Sequence, residues 1–250
     1  MDKKTDWRIV SLTHDYSSNK IHKYFDKRIS DLEKAAVSIS PTMNKRDLAH
    51  EVASAVGYSE KRTLGLYGSG SYHHMTYGLC RIARSLSEGF TYIHIDNHND
   101  GNYDPSELSC DAFVNNLVED GFAKNIILVG SYHPLASTYV NDFDFRKYPQ
   151  DVIPKILKQV KTNDVYISID LDVMEDKEVS TSMFYSRGTM KKETLLDLIE
   201  GIKSKKRIIS ADILGYTWSL FPSMNSKSKK LYEDISRAIL GEEEWKLHLR

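Results

Sequence analysis

Short apolar runs rich in β-branched residues recur along this 250-residue chain and alternate with stretches of helical spacing. The runs cover residues 7–12, 63–67, 91–95, 125–129, 165–169 and 207–213. Several are continuously apolar rather than alternating, which is how strands buried on both faces read. Between them, residues 21–37, 45–56, 74–86, 111–119, 191–203 and 227–240 carry apolar side chains three and four apart. Leu195, Leu196, Leu198, Ile199 and Ile202 are the clearest helical stripe. The pattern predicts a single α/β domain over residues 1–250, three-layered, with a mostly parallel central sheet between helices. Residues 142–150 and 175–187 read as loops.

Two acidic clusters sit at the ends of two such runs. One is Asp96-Asn97-His98-Asn99-Asp100, the other Asp170-Leu171-Asp172. Alternate side chains of an extended chain share a face, so Asp96, His98 and Asp100 can converge, and so can Asp170 and Asp172. That much negative charge in one place calls for counter-cations. After residue 67, the glycine-rich turn Gly68-Ser69-Gly70-Ser71-Tyr72 leads to His73 and His74 at another strand end. In open parallel sheets, ligands collect beyond the carboxyl ends of the strands. Carboxylates with imidazole help suit Mn²⁺ better than Zn²⁺. Two such ions bridge one water, lower its pKa and aim a hydroxide.

Composition removes other classes. The formal charge of −1 offers nothing to nucleic acid or an anionic membrane, and the clusters 203–207 and 227–230 read as solvated basic faces. Cys80 and Cys110 are too few for a disulfide framework and read as free thiols in a reducing compartment. Residues 1–7 lack the apolar core of a signal peptide, and no run approaches the ~20 residues of a membrane span. The expectation is a cytoplasmic protein with no nucleic-acid or membrane partner; a homo-oligomer stays open.

In its motifs the chain resembles the arginase/agmatinase (ureohydrolase) family, over about residues 63–222. The family's D-A-H-x-D appears as Asp96 to Asp100, and its S-x-D-x-D as Ser168 to Asp172. Its G-G-D-H-S is eroded to Gly70-Ser71-Tyr72-His73-His74, aligned on His73 so that Gly78 falls in place. The resemblance implies two Mn²⁺ per chain. His73, Asp96, Asp100 and Asp170 would ligate one ion. Asp96, His98, Asp170 and Asp172 would ligate the other. His73 and Asp100 are then the catalytic pair, with Asp100 passing a proton to the leaving amine. Asn102 and Asp212 match positions at the substrate, and Gly188 a glycine-rich loop. The substrate would be a small guanidino compound or an arginine-containing peptide.

Departures from the family accompany these matches. The family's guanidinium-anchoring Glu, three residues beyond Asp212, is Gly215 here. Glu107, Glu175 and Asp176 are candidates to replace it. The family's shuttle His is absent from the stretch holding Cys110, Asp111 and Phe113. Shorter loops suggest an open mouth, as in the peptide arginases. Two rival readings follow: a one-zinc deacetylase-like amide hydrolase using His73-His74 as base, and a divergent metal-binding non-enzyme. His94 shares parity with Asp96 but reads as packing beneath the site. His14 reads as a loop residue, Trp218 and Phe221 as packing. Tyr132 and His133 are weaker candidates for substrate contact.

Overall fold

A computed structural model of the chain describes residues 5–102, 106–131, 140–143, 152–175, 179, 188–216 and 226–250. The six expected strands are all present, as β1 (Trp7–Thr13), β4 (Arg62–Leu66), β5 (Phe90–Ile95), β7 (Ala123–Val129), β9 (Asp164–Asp170) and β10 (Arg207–Leu214). With β2 (Glu33–Ala36) and β8 (Val140–Phe143) they form one sheet in the order β2-β1-β4-β10-β9-β5-β7-β8. Every pairing in it is parallel. Two short strands, β3 (Thr42–Asn44) and β6 (Glu107–Ser109), pair antiparallel as a separate ribbon.

The strand pleat divides the core into two layers. Ile93, Ile167 and Ile213 point to one face, where α1 (Tyr16–Phe25), α6 (Lys192–Lys203) and α7 (Ser226–Leu240) bury Phe25, Leu198 and Ile235 against them. Val10, Tyr92 and Tyr166 point to the other, under α2 (Lys45–Val56) and α3 (Met75–Ala83), which contribute Val52 and Leu79. Each fully buried aliphatic side chain contributes roughly 1.5–3 kcal/mol, so both layers hold the sheet. α4 (Val114–Glu119), α5 (Val152–Gln159) and α8 (Glu242–His248) complete the described helices, none of which is long and apolar enough to cross a membrane.

The expected helix over 21–37 is corrected. Asp15 caps α1 through a capping box with Ser18, so the helix starts early and ends at Phe25. Residues 33–36 instead extend the sheet, Val10 to Thr13 matching Glu33 to Ala36. Ladder hydrogen bonds at an open edge outweigh a weak local helical pattern. The expected helix over 111–119 begins only at Val114, because the N–H groups of Phe113 and Val114 both donate to the carbonyl of Asp100, at 3.1 Å each. Residues 142 and 143, read as loop, end β8, with Asp142 matching Leu128. Most of 175–187, the remainder of 142–150, Tyr132, His133, Asp176, Trp218 and Phe221 lie outside the described residues.

Candidate metal centre

Three strand ends build the centre. β4 runs out at Leu66 and turns through a single 3₁₀ turn, Gly70–Tyr72, that delivers His73. The turn passes so close to β9 that a Cβ on Gly70 would sit 2.5 Å from Asp170 Oδ2. α3 then seats against α2 through Gly78, whose Cβ would meet Val52 Cβ at 2.5 Å. β5 ends at Ile95 and presents Asp96 and His98, after which the chain reverses at Asp100. Asp100 has φ of 47°, the one non-glycine residue with positive φ among those described. Such a conformation costs of order 1–3 kcal/mol and persists only where its surroundings fix it. Here Phe113 and Val114 do so by gripping its carbonyl. β9 ends at Asp170, whose Oδ1 accepts the N–H of Asp172 at 2.9 Å.

Between β4 and β9 in the sheet lies β10, so His73 must reach Asp170 across its end. Gly215 makes that possible. It has φ of +94°, its N–H donates to Gly68 at 2.8 Å, and a Cβ there would stand 2.2 Å from Asp170 Oδ1. A carboxylate-bearing side chain at 215 is therefore incompatible with this arrangement of Asp170.

The side chains converge in two overlapping groups. In the first, His73 Nδ1 lies 2.8 Å from Asp100 Oδ2, 3.0 Å from Asp96 Oδ2 and 3.9 Å from Asp170 Oδ2. In the second, His98 Nδ1 lies 2.8 Å from Asp172 Oδ2 and 3.4 Å from Asp96 Oδ1. Asp96 belongs to both, one oxygen to each. All six residues expected to hold metal thus meet in one place. His94 joins them: its Nε2 lies 3.4 Å from Asp96 Oδ2 and 3.6 Å from Asp100 Oδ2, in a ring stacked 4.8 Å from that of His73. It is buried beneath the site, as its position suggests, yet the nitrogen is aimed at the carboxylates. Sets of this kind, His73, His94, Asp96 and Asp100 on one side and Asp96, His98 and Asp172 on the other, have the spacing to hold a metal ion.

The electrostatics suit a bound cation. Burial, then the Asp96 charge, pushes both Asp100 and Asp170 up to about 7. Asp172 rises for the same reason of burial, with Asp170 adding to it. For Asp96, burial is outweighed by His73 and His98, which hold it well below the usual carboxylate range. His98 is pushed up to about 11 by its hydrogen bonds to Asp172 and Asp96. Burial forces His94 down to about 3. His73 Nδ1 and His94 Nε2 are both buried without an aligned hydrogen-bond partner. Four buried carboxylates facing orphaned imidazole nitrogens fit divalent cations through oxygen and nitrogen donors.

A polar base underlies His73. Its Nε2 lies 2.8 Å from Ser168 Oγ, and Ser168 donates to Asp212 Oδ1 at 2.6 Å. Tyr166 and Thr76 donate to Asp212 Oδ2 at 2.5 and 3.1 Å. Asp212 is fully buried, with three donors around its carboxylate. This corrects its expected place at the substrate: it lies beneath His73, linked to it through Ser168. Thr76, Tyr92 and Tyr166 were not singled out from sequence, and Ser168 was noted only as the start of a motif. The parity of Tyr92 with His94 and Asp96, and of Tyr166 and Ser168 with Asp170, is the signal that points to them.

The remaining expected substrate residues lie further out. Asn102 is exposed and donates to Asp111 Oδ2 at 2.9 Å. Glu107 stands exposed on the β3–β6 ribbon rather than among the buried carboxylates. Phe113 packs its ring 5.0 Å from His73, filling the stretch where a shuttle imidazole was sought. His74 turns aside, its Nε2 3.0 Å from the Ser40 carbonyl. His14 is buried against the edge of Tyr72, ring centres 4.2 Å apart.

A family model described as the arginase family matches residues 7–223. An uncharacterized protein of Thermotoga maritima is 28% identical over 183 residues, 72% of this chain and 68% of that one. Proclavaminate amidino hydrolase from Streptomyces clavuligerus superposes with a TM-score of 0.73 at 13% identity, over 97% of this chain and 92% of that one. The arginase of Entamoeba histolytica, in complex with L-ornithine, gives 0.67 at 14% identity, over 96% and 100%. Formimidoylglutamase from Bacillus subtilis gives 0.67 at 14%, over 95% and 87%. At these identities the three structures establish a shared fold.

Proposed function

The chain belongs to the arginase family, whose members are hydrolases of amidine C–N bonds, and on that premise we propose a dinuclear-manganese hydrolase acting on a guanidino substrate. The observation that carries this reading is the pair of donor groups joined through Asp96, with one oxygen directed to each. His73, Asp96, Asp100 and Asp170 would hold one Mn²⁺, and Asp96, His98, Asp170 and Asp172 the other. Bound there, the two ions supply Lewis acidity and bring a water to a nucleophilic state near neutral pH.

The chain's own groups supply the rest. Asp100, turned back over the cluster by its positive φ, takes the proton released by the attacking water on its carboxylate and hands it to the departing amine. The Ser168–Asp212 pair fixes the ring of His73. Phe113 keeps solvent from the imidazoles at the base. The His98 side chain is 36% exposed, so the centre is open on that side. An arginine carried on a peptide can approach there, yielding ornithine and urea, and this is the substrate class proposed beside free guanidino compounds.

One experiment addresses both parts. The Mn²⁺-loaded protein is assayed for urea release from arginine, agmatine, guanidinobutyrate and arginyl peptides, with peptide mass read for conversion of arginine to ornithine. Turnover of the peptides above the free amino acid supports the peptide reading. Silence across the panel with two ions bound would remove the guanidino assignment. A one-zinc amide hydrolase with tandem imidazole base fits the site less well, because His74 rests on the Ser40 carbonyl while His73 sits among the carboxylates.

A further inference from the structure

We propose that His94 is a direct metal ligand, so that the buried position of the centre holds its ion through two imidazoles and the open position through one. The inference rests on the two-metal reading above and concerns how one of its positions is built. His94 Nε2 is fully buried, has no aligned hydrogen-bond partner, and points at Asp96 Oδ2 and Asp100 Oδ2. These are the same two oxygens that His73 Nδ1 faces.

The separations fit a shared ion. An N–H···O bond spans roughly 2.7–3.2 Å. The distances from His94 Nε2 are 3.4 and 3.6 Å, beyond that range. Two ligand atoms each about 2.1 Å from one ion stand roughly 3.0–3.6 Å apart, for angles between about 90 and 120°. His94 Nε2, with no aligned acceptor, is spaced as a co-ligand of Asp96 and Asp100.

The second nitrogen of each ring tells the same story. A metal-bound histidine generally gives its other ring N–H to an oxygen, which fixes the tautomer and the ring plane. His73 rests Nε2 on Ser168 Oγ at 2.8 Å, and His94 rests Nδ1 on the Tyr92 hydroxyl at 3.1 Å. The two imidazoles are stacked at an interplanar angle of 20°, each with one nitrogen on a hydroxyl and one on the same carboxylate pair. That duplicated arrangement is built for two nitrogen donors on one ion.

Selectivity follows from the donor set. Imidazole favours the later first-row ions, while carboxylate and water suit Mn²⁺. The buried position, with His73 and His94, should prefer Zn²⁺ or Co²⁺ over Mn²⁺ more strongly than the position at His98.

The direct test is a crystal structure of the full chain loaded with Co²⁺, the ions located by anomalous scattering. An ion about 2.1 Å from His94 Nε2 is the expected result. Ions present with none within about 3 Å of that nitrogen would overturn the proposal. A second measurement uses His94→Phe, which keeps a ring in the stack but removes its nitrogens. Chelator competition with Zn²⁺ should show one of two binding steps weakened by tenfold or more, the other unchanged. An unaltered pair of steps in a folded variant would overturn the proposal too. Silence in the urea assay with His94-bound metal would reject the proposed substrate and leave this inference standing.

Discussion

The centre has two unlike halves. Around His73 and His94 every donor is buried, the rings are stacked, and hydroxyls of Ser168 and Tyr92 fix them from below. Around His98 the imidazole is over a third exposed and is held between two chain segments: His98 N–H donates to Asp96 Oδ1 at 2.7 Å within its own turn, and Asn97 N–H donates across to Asp172 Oδ1, past the end of β9, at 3.1 Å. The buried half is fixed by the packed core, the open half by contacts between the turn after β5 and the end of β9. A buried half loses more when a support is removed, since water cannot replace the missing partner. The open half is where the proposed substrate would arrive.

The sharpest way to break this contrast is Asp96→Asn, because Asp96 serves both halves. Loss of both Mn²⁺ ions and a fall in turnover on the order of a thousandfold are expected, since charge stabilisation by metal is worth several kcal/mol. Metal analysis showing both ions retained would mean that the halves do not depend on a common bridge.

Next in size is proton-linked loading. Asp100 and Asp170, both up at about 7, hold protons below that pH, and an incoming cation must displace them. His98, at about 11, keeps its own proton to higher pH. Metal affinity therefore rises with pH, by roughly tenfold per unit for each proton displaced. For stability without metal, the raised carboxyls contribute fully below their ordinary value of 3.8, and the contribution is lost progressively as pH rises from there to about 7. The rise in Tm caused by Mn²⁺ should accordingly be larger at about pH 8 than at about pH 5. Equal rises would contradict the proton inventory.

A third effect separates the halves. Asp212→Asn alters the support of His73 without touching a proposed ligand, and should cost roughly 10–100-fold in affinity at the buried position alone. Competition titration that weakens both steps equally would show that the polar base serves the whole centre. The smallest effect is expected outside both halves: Glu107→Ala should change kcat/KM by less than about twofold, as exposed substitutions do. A larger loss would return Glu107 to the substrate.

Legibility followed the range of the forces involved. The strands and the acidic clusters were readable because continuous apolar runs and the D-x-H-x-D and D-x-D spacings are local, period-two facts. β2 was misread as helix because its pairing to β1 comes from a segment some twenty residues away. Asp212 looked like a substrate residue because it ends a late strand. Its burial among Ser168, Thr76 and Tyr166 becomes visible only once β10 is known to lie between β4 and β9. Gly215 read as a lost anchor, whereas the fold shows that it clears space for Asp170.

By itself the sequence determined which atoms are available: four carboxylates and two imidazoles at strand ends, placed on common faces by backbone periodicity. Only the tertiary structure decided which of them converge. Sheet order set β4, β10, β9 and β5 side by side, and core packing turned His94 toward the same oxygens as His73. Strand order and side-chain convergence are settled by non-local pairing and burial, and no local spacing encodes them.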